Sequence, residues 1–463
     1  MSSGGPDSPS RHTIAARFER LPYTSYQARL TFILATCFAI DAVDLSMLSF
    51  LLAPVSNDLG LTPFEAGIAA SSVFVGVAIG ATAAGMLCDR YGRRRILIYT
   101  MYLWGAASLL TAFAWDLWSF SFLRFITGIG LGAELPAAFA LVAECMPASR
   151  RASTTGWMQI AASTATVLFN LLALGAVYFL GEAFGWRAMF VFMFGAALFA
   201  LYVRRAMPES PRWLESQGQH DEADREMILF EQRAAEAHGA PLPAPAALAA
   251  PSPPPSAPSS NQLSALFAKG HANRTLFAWG LWIAVMMGFY GIQMWVGKLL
   301  VDRGMSVSDS IAIGVLISLA GIPAAWLTGQ TLERVGRKLV IIGVLAFVSI
   351  AAFIYGHADT FLLVALTGAI LRFFMVSLAT SLYAYTPELF PTHARATGLG
   401  TASTMGRISA IAGPMLVPPL VMLWGYTGAF VAFAACFGVS ALLVALFGPE
   451  TKGRSVEDAA GRA

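Results

Sequence analysis

Long apolar segments separated by short polar ones run through most of the chain. A β-barrel would alternate apolar and polar positions with a period of two over about 10 residues, and runs such as FVFMFGAALFALYV (190–203) do not alternate. An α-helix that crosses a bilayer needs about 20 mostly apolar residues. On that criterion the pattern predicts twelve transmembrane helices, at about 28–52, 64–87, 95–115, 117–143, 155–179, 186–206, 273–300, 307–330, 338–356, 359–386, 394–422 and 424–448.

One long polar segment interrupts this pattern between the sixth and seventh helices. It contains a charged, helix-forming stretch, EADREMILFEQRAAEA (222–237), followed by APLPAPAALAAPSPPPSAPSS (240–260). The second stretch is too poor in large hydrophobic residues to fold alone. We therefore predict a cytoplasmic N-terminal tail (1–27), an N-terminal six-helix bundle (28–206), a partly disordered cytoplasmic central loop (207–272), a C-terminal six-helix bundle (273–448) and a cytoplasmic tail (449–463).

The composition of the 463 residues agrees with a membrane protein: 57% are hydrophobic, only 12% are charged, and the mean hydropathy is +0.63. A net charge of +3 argues against a nucleic-acid-binding protein. Cytoplasmic loops of membrane proteins are enriched in Lys and Arg. With both termini inside, the 30 basic residues fall at cytoplasmic ends and loops, except for Lys298, Arg303 and Arg187 near the outer face and Arg124, Arg372 and Arg407 within spans.

Two different motifs recur in the second half of the chain at the same separation of 244 residues. GMLCDRYGRRR (85–95) recurs as GQTLERVGRK (329–338), and ECMPASRR (144–151) recurs as ELFPTHAR (388–395). The shared offset predicts two copies of one six-helix unit. The charged residues of the motifs are either gating contacts that separate when the halves move or anchors of loops at the headgroups. The candidate gating residues are Asp89, Arg90, Gly92, Arg93, Glu144 and Arg151, with Glu333, Arg334, Arg337, Glu388 and Arg395 in the second copy.

Acidic residues inside the spans are candidates for function because charge in hydrocarbon is costly. Asp41 and Asp44 lie three residues apart on one face of the first helix. Two carboxylates this close are not expected to be ionised together, so they are candidate proton-coupling residues. The alternative is a structural ion pair with Arg124 of the fourth helix. Glu134 of the same helix is a candidate second proton site or an acceptor for a substrate ring nitrogen, while the nearby glycines of GIGLG favour helix packing.

The C-terminal half contributes basic residues instead. Arg372 and Arg407 lie near mid-depth in the tenth and eleventh helices, and a guanidinium can bind a carboxylate with two hydrogen bonds. A flat aromatic-lined slot for a planar ring is predicted beside them, although each aromatic residue alone is more typical of packing. Its candidate residues are Tyr290, Gln293, Trp295, Trp282 and Tyr383.

These motifs resemble the major facilitator superfamily over nearly the whole chain. The turn motif GxxxDRxGRR, together with PESPRWL (208–214) and PETKG (449–453), resembles its sugar-porter-like branch. DAVD, RFITGIGLGAELP, FYGIQMW and LYAYTPELFPTHARATGLGTASTMGRI resemble bacterial niacin (nicotinate) permeases and aromatic-acid:proton symporters. Gln293 and Arg372 depart from that pattern.

The resemblance implies an all-α membrane protein with two pseudo-symmetric six-helix bundles. We expect a proton-coupled importer of a small aromatic monocarboxylate, with nicotinate as the first candidate. It is expected to work by alternating access, as a monomer in the bacterial inner membrane. Its expected partners are a small organic anion, protons and the lipid bilayer, with no nucleic acid, cofactor or metal. The alternatives are export, another cargo (a benzoate-like acid, an organic cation or a sugar-like metabolite) or a sensor with a transporter fold. An enzyme is not expected, since no histidine falls well inside a span.

Overall fold

The computed structural model of the chain describes residues 14–240, 242–243, 266–267, 272–390 and 395–450, apart from a few side chains within them. The start of the N-terminal tail, most of the Pro-rich stretch and the end of the C-terminal tail lie outside these ranges. All regular structure in the described ranges is helical. The helices are α1 (Ile14–Glu19), α2 (Ser25–Leu59), α3 (Pro63–Tyr91), α4 (Arg93–Thr111), α5 (Leu117–Cys145), α6 (Ala148–Met193), α7 (Gly195–Ala206), α8 (Pro211–Ser216), α9 (His220–His238), α10 (Ala272–Asp302), α11 (Val307–Leu319), α12 (Gly321–Val335), α13 (Arg337–Gly356), α14 (Phe361–Tyr385), a 3-10 turn (Thr386–Leu389) and α15 (Arg395–Phe447).

Local sequence signals set the helix boundaries. Helix α2 ends at Gly60, whose φ of 63° is in the left-handed region that glycine adopts at a helix C-cap. Helix α3 starts two residues later with Thr62 as N-cap and Pro63 in its first turn, and the Thr62 backbone N–H donates back to Glu65 at 2.8 Å. Such a capping box satisfies backbone groups that a helix end leaves free. The result is a tight hairpin between α2 and α3.

The described part of the chain contains enough long helix for the twelve crossings that the sequence predicts. Nine of its helical segments are long and apolar enough to span a bilayer. Two of these segments bend sharply, at Gly181 (φ 78°) and Gly425 (φ 70°), so each makes two crossings. Helix α4 is less apolar and supplies the remaining crossing between α3 and α5. The two bend glycines are separated by 244 residues, the offset of the repeated motifs.

Close helix packing in the N-terminal half depends on glycines of α5. A Cβ atom added to Gly128 would collide with the Val73 carbonyl oxygen of α3, and one added to Gly132 would collide with the Val77 carbonyl oxygen. Small residues let helix backbones approach, which is the main way that helices associate tightly in membranes. The glycine series of α5 therefore packs helices, as the sequence favours.

The two halves pack together at one end of the molecule. We call the end with the Gly92 and Gly336 turns the motif end and the opposite end the closed end. Near the closed end, the Phe50 ring of α2 lies against two glycines of the other half, Gly297 of α10 and Gly314 of α11. At the motif end, no ion pair between described side chains joins the halves. The contacts of Phe50 therefore join the halves near the closed end.

Helix α1 is fastened to helix α9 of the central segment. Arg17 Nε donates to Glu231 Oε1 at 2.9 Å, and Arg20 Nη2 donates to the same oxygen at 2.7 Å. Beside them, the Phe18 and Phe230 rings meet edge to face, with their centroids 5.2 Å apart. Burial raises the pKa of Glu231, but the hydrogen bonds and charges of the two arginines outweigh it, so the pKa is lowered overall.

We predict that Glu231→Gln loosens α1. Because the folded-state pKa of Glu231 is lowered, its stabilisation is present above the unfolded value of about 4.3 and disappears as the pH falls through the folded value. The partly exposed contact contributes about 0.5–1 kcal/mol at pH 7. Hydrogen exchange of the α1 amides, corrected for intrinsic rates, should rise in the variant at pH 7, and the difference from the wild type should vanish as the pH falls through the lowered pKa of Glu231. Glu222→Gln, on the exposed face of the same helix, is the control and should change nothing at pH 7 or at lower pH.

Candidate functional site

A buried ion pair links α2 to α5. Arg124 Nη1 lies 2.9 Å from Asp44 Oδ2 and donates a hydrogen bond to Asp44 Oδ1 at 3.2 Å. Both side chains are fully buried. Ser108 of α4 donates a longer bond, 3.3 Å, to Asp44 Oδ1. The charges of Asp44 and Arg124 thus compensate each other inside the N-terminal half.

Asp41 and Glu134 form a second acidic site without such compensation. Both are only 1% exposed, and they are close enough for their charges to interact. Trp104 Nε1 of α4 donates to Glu134 Oε2 at 2.6 Å. The other oxygen of Glu134 and Asp41 Oδ1 have no hydrogen-bond partner among the described atoms. Each of these carboxyl groups therefore has an oxygen atom that can hold a proton.

The Arg407 cavity lies between the two halves, and the space within it and its open mouth is about 540 Å³. Its aromatic walls are held by contacts on both sides. The Tyr290 ring packs edge to face on Phe74 of the other half at 4.6 Å, and the Trp282 ring packs on Tyr383 at 5.0 Å. The residues that line it are Leu45, Phe74, Val77, Leu135, Trp282, Met286, Tyr290, Tyr383, Ser403, Gly406, Arg407 and Ala410.

Arg407 supplies the positive charge of this cavity. No described carboxylate lies within ion-pair distance of its guanidinium, but its charge acts at longer range on Asp41 across the halves and on the Tyr290 hydroxyl. A guanidinium that faces an aromatic-walled hollow can bind a flat anion by its carboxylate. Three of the five predicted slot residues, Trp282, Tyr290 and Tyr383, line this cavity with Arg407.

The Arg372 cavity lies nearer the closed end and has a volume of about 510 Å³. Arg372 Nη1 donates to Gln293 Oε1 at 3.2 Å. Its lining residues come from both halves: Ser46, Ser49, Phe50, Thr166, Asn170, Ile292, Gln293, Val296, Ile317, Ser318, Tyr355, Gly368, Leu371, Arg372 and Met375.

The structure separates residues that the sequence grouped in one slot. Gln293 lines the Arg372 cavity, although it lies only one turn from Tyr290. Trp295 lines neither cavity: it is 2% exposed, and its indole N–H donates to the Pro414 carbonyl oxygen at 2.9 Å, which is a packing role. The sequence missed Asn170 and Trp104, both of which contribute polar atoms next to the predicted charges. Asn170 was detectable as a polar residue inside an apolar run.

The charged motifs form the same contact in each half. Arg93 Nε lies 3.0 Å from Glu144 Oε1, and Arg337 Nε lies 3.2 Å from Glu388 Oε1. Each arginine also donates to the carbonyl oxygen five residues before it. These contacts lie within a half and not across the halves. Asp89 joins the first pair, with its Oδ1 2.9 Å from Arg93 Nη2.

The remaining motif residues lie near these contacts. Arg90 stacks on the Tyr91 ring, and Arg334 is exposed at the end of α12. Gly92 forms the turn between α3 and α4 with a φ of 95°, a value that other residues rarely adopt. The side chains of Arg151, Glu333 and Arg395 lie outside the described residues.

A half-buried carboxylate caps each motif turn. Glu209 Oε1 accepts from the backbone N–H groups of Arg94 and Ser210 at 3.1 and 3.0 Å, and Glu450 Oε1 accepts from Arg337 N at 3.2 Å in the second half. Burial raises the pKa of Glu209 in spite of these bonds, which act in the opposite direction. A carboxylate therefore lies at the N-terminus of the helix that follows each turn, where the helix dipole favours negative charge.

Comparison with known proteins agrees with this architecture. The model of the Major Facilitator Superfamily matches residues 34–414 and 329–463. The chain is 33% identical to the niacin transporter NiaP of Acinetobacter baylyi, over 96% of this chain and 99% of the relative. It is 27% identical to the 3-(3-hydroxy-phenyl)propionate transporter of Escherichia coli, over 91% and 94%. The inward open conformation of the xylose transporter XylE from E. coli superposes with a TM-score of 0.73 at 19% identity, over 93% of this chain and 98% of that one.

We predict that the Asp44–Arg124 pair stabilises the fold only as a pair. Asp44→Asn or Arg124→Gln alone leaves a buried charge without its partner, at a cost of about 3–5 kcal/mol. The double variant removes both charges and should recover most of that loss. Thermal unfolding in detergent measures the cycle, and Asp41→Asn, which removes a carboxylate without such a partner, is the matched control with little expected loss. An Asp44→Asn variant as stable as the wild type would contradict the assignment.

Proposed function

Because the chain belongs to the major facilitator superfamily and is a transporter rather than an enzyme, we propose that it imports a small aromatic monocarboxylate, nicotinate first, together with protons. The observation that carries the proposal is the Arg407 cavity, which joins one cation to aromatic walls between the two halves. The two relatives, a niacin transporter and a 3-(3-hydroxy-phenyl)propionate transporter, are named for aromatic acids.

Arg407 binds the substrate carboxylate in this proposal. Its guanidinium forms two hydrogen bonds with a carboxylate, and the faces of Tyr290, Tyr383 and Trp282 accommodate the flat ring. Glu134, which the sequence offers as an acceptor for a ring nitrogen, is not among the residues that line this cavity, so that contact is not part of the proposal. The hydrocarbon walls limit the site to small, largely apolar acids.

Asp41 and Glu134 carry the coupling proton in this proposal. Asp44 is already bound to Arg124, whereas Asp41 has the longer-range attraction of Arg407 as its compensating charge. A substrate anion on Arg407 cancels that attraction. Asp41 and Glu134 then repel each other without compensation, so one of them takes up a proton. Substrate binding and proton binding thus favour each other.

Alternating access follows from movement of the two halves, 28–206 and 273–448, about a central site. The motif end faces the cytoplasm of a bacterial cell in this proposal, since its turns carry the arginines and lysines that the positive-inside rule places there. The tails (1–27 and 449–463) and the central loop (207–272) then lie in the cytoplasm, and the closed end faces outward. Release to the cytoplasm occurs from the conformation described above, with the protein working as a monomer in the inner membrane.

Arg407→Gln should reduce nicotinate affinity by about 10-fold or more, because it removes a charge-assisted contact. Uptake of radiolabelled nicotinate into proteoliposomes measures the change. Benzoate should compete with nicotinate in the wild type and a quaternary amine should not. Unchanged nicotinate affinity in Arg407→Gln would refute the carboxylate contact, and competition by the amine would favour an organic cation held by the acids.

Asp41→Asn and Glu134→Gln should each abolish accumulation driven by a proton gradient while leaving exchange of labelled for unlabelled nicotinate. Exchange needs the substrate site and the conformational change but no net proton movement. Both are measured in the same proteoliposomes, with and without an imposed pH gradient. Asp44→Asn is measured in the same accumulation and exchange assays for comparison, provided that the purified variant remains folded. Full accumulation in both the Asp41 and Glu134 variants would end the coupling proposal.

A further inference from the structure

Arg372 carries a positive charge inside the membrane that no described carboxylate compensates. Its hydrogen bond, 3.2 Å to Gln293 Oε1, is to a neutral acceptor, and no acidic side chain is among the described residues that line its cavity. Arg124, in contrast, lies 2.9 Å from Asp44. A guanidinium stays charged and is costly in a low dielectric without a counter-charge. The charge at Arg372 therefore favours an anion that comes from outside the protein.

The walls of the Arg372 cavity suit a small organic anion. Asn170 Nδ2 of one half donates to Ser318 Oγ of the other at 2.9 Å, and Ser49 Oγ donates to the Gln293 carbonyl oxygen at 2.5 Å. These groups and Arg372 are surrounded by apolar side chains.

The Arg372 cavity lies on the closed-end side of the Arg407 cavity. Along α10, Tyr290 lines the Arg407 cavity and Gln293, one turn closer to the closed end, lines the other. Along α14, Arg372 lies about 16 Å nearer the closed end than Tyr383, at 1.5 Å per residue. Phe50, which packs against Gly297 and Gly314, lines the Arg372 cavity on the side nearer the closed end.

We propose that the Arg372 cavity is a second carboxylate site, which binds the substrate on its way in before the Arg407 cavity does. The proposal rests on the proposed function for the identity of the substrate and for the orientation. When the closed end opens, Arg372 is the first cation that an entering acid meets. The anion replaces Gln293 as the partner of Arg372, and closure of Phe50 behind it leaves Arg407 as the next cation toward the motif end.

The test measures transport separately from each side of the membrane. Radiolabelled nicotinate is supplied to right-side-out and to inverted vesicles that contain wild type, Arg372→Gln, Arg372→Lys or Arg407→Gln. We expect Arg372→Gln to raise the KM for entry from the outer face by about 10-fold or more and to change the KM from the cytoplasmic face by less than about twofold. Arg372→Lys, which keeps the charge, should restore part of the outer-face affinity. Arg407→Gln should raise the KM from both faces.

The cytoplasmic-face KM also shows that the Arg372 variants are folded. An unchanged outer-face KM in Arg372→Gln would overturn the second site, and so would an equal rise at both faces, which would indicate one shared site. An Arg407→Gln variant that matches the wild type at both faces, with a one-sided effect of Arg372→Gln, would support the second site and refute the proposed role of Arg407. A wild-type protein that transports neither nicotinate nor benzoate would overturn both the second site and the proposed function.

Discussion

The cost of placing charge in hydrocarbon governs the interior of this protein. Asp44 and Arg124 meet that cost together, as a fully buried pair. Asp41, Glu134, Arg372 and Arg407 do not have an equivalent partner among the described residues. Such groups are retained in a membrane interior when something else neutralises them. The transport proposal is the consequence: the acids are neutralised by a proton, and the arginines by the anion that is carried.

The two halves share a scaffold but not a site. The motif turns, the Arg–Glu contacts and the bend glycines, Gly181 and Gly425, all recur at one offset. The buried ion pair does not recur in the second half. The positions 244 residues after Asp44 and Arg124 are occupied by glycines, Gly288 and Gly368. Acids lie in one half and unpaired arginines in the other. The charged residues proposed to bind substrate and protons are therefore ones that differ between the two repeats. The recurring motif turns and bends are the framework that moves, and the residues that differ determine specificity.

The seal between the halves is built from small, uncharged contacts. Phe50 fits between Gly297 and Gly314, and side-chain hydrogen bonds run from Asn170 to Ser318 and from Ser49 to the Gln293 carbonyl oxygen. At the motif end, the ion pairs between described side chains lie within a half, and helix α1 is fastened to α9, which follows the same N-terminal bundle. The ion pairs among the described residues thus stabilise each half and do not join one half to the other. This arrangement suits rocking of two rigid bodies, which the proposed mechanism requires.

The sequence by itself determined the fold class, the twelve crossings, the internal repeat and the identity of the charged residues in the spans. These features are readable because a bilayer imposes length and polarity locally, residue by residue. Only the tertiary structure decided which charges are paired: that Arg124 belongs to Asp44, that Arg372 and Arg407 occupy separate cavities, and that Trp295 packs against Pro414 instead of facing a ligand. Pairing depends on helix rotation and on contacts between segments that are distant in the chain. A linear pattern of hydrophobic positions does not specify either of them.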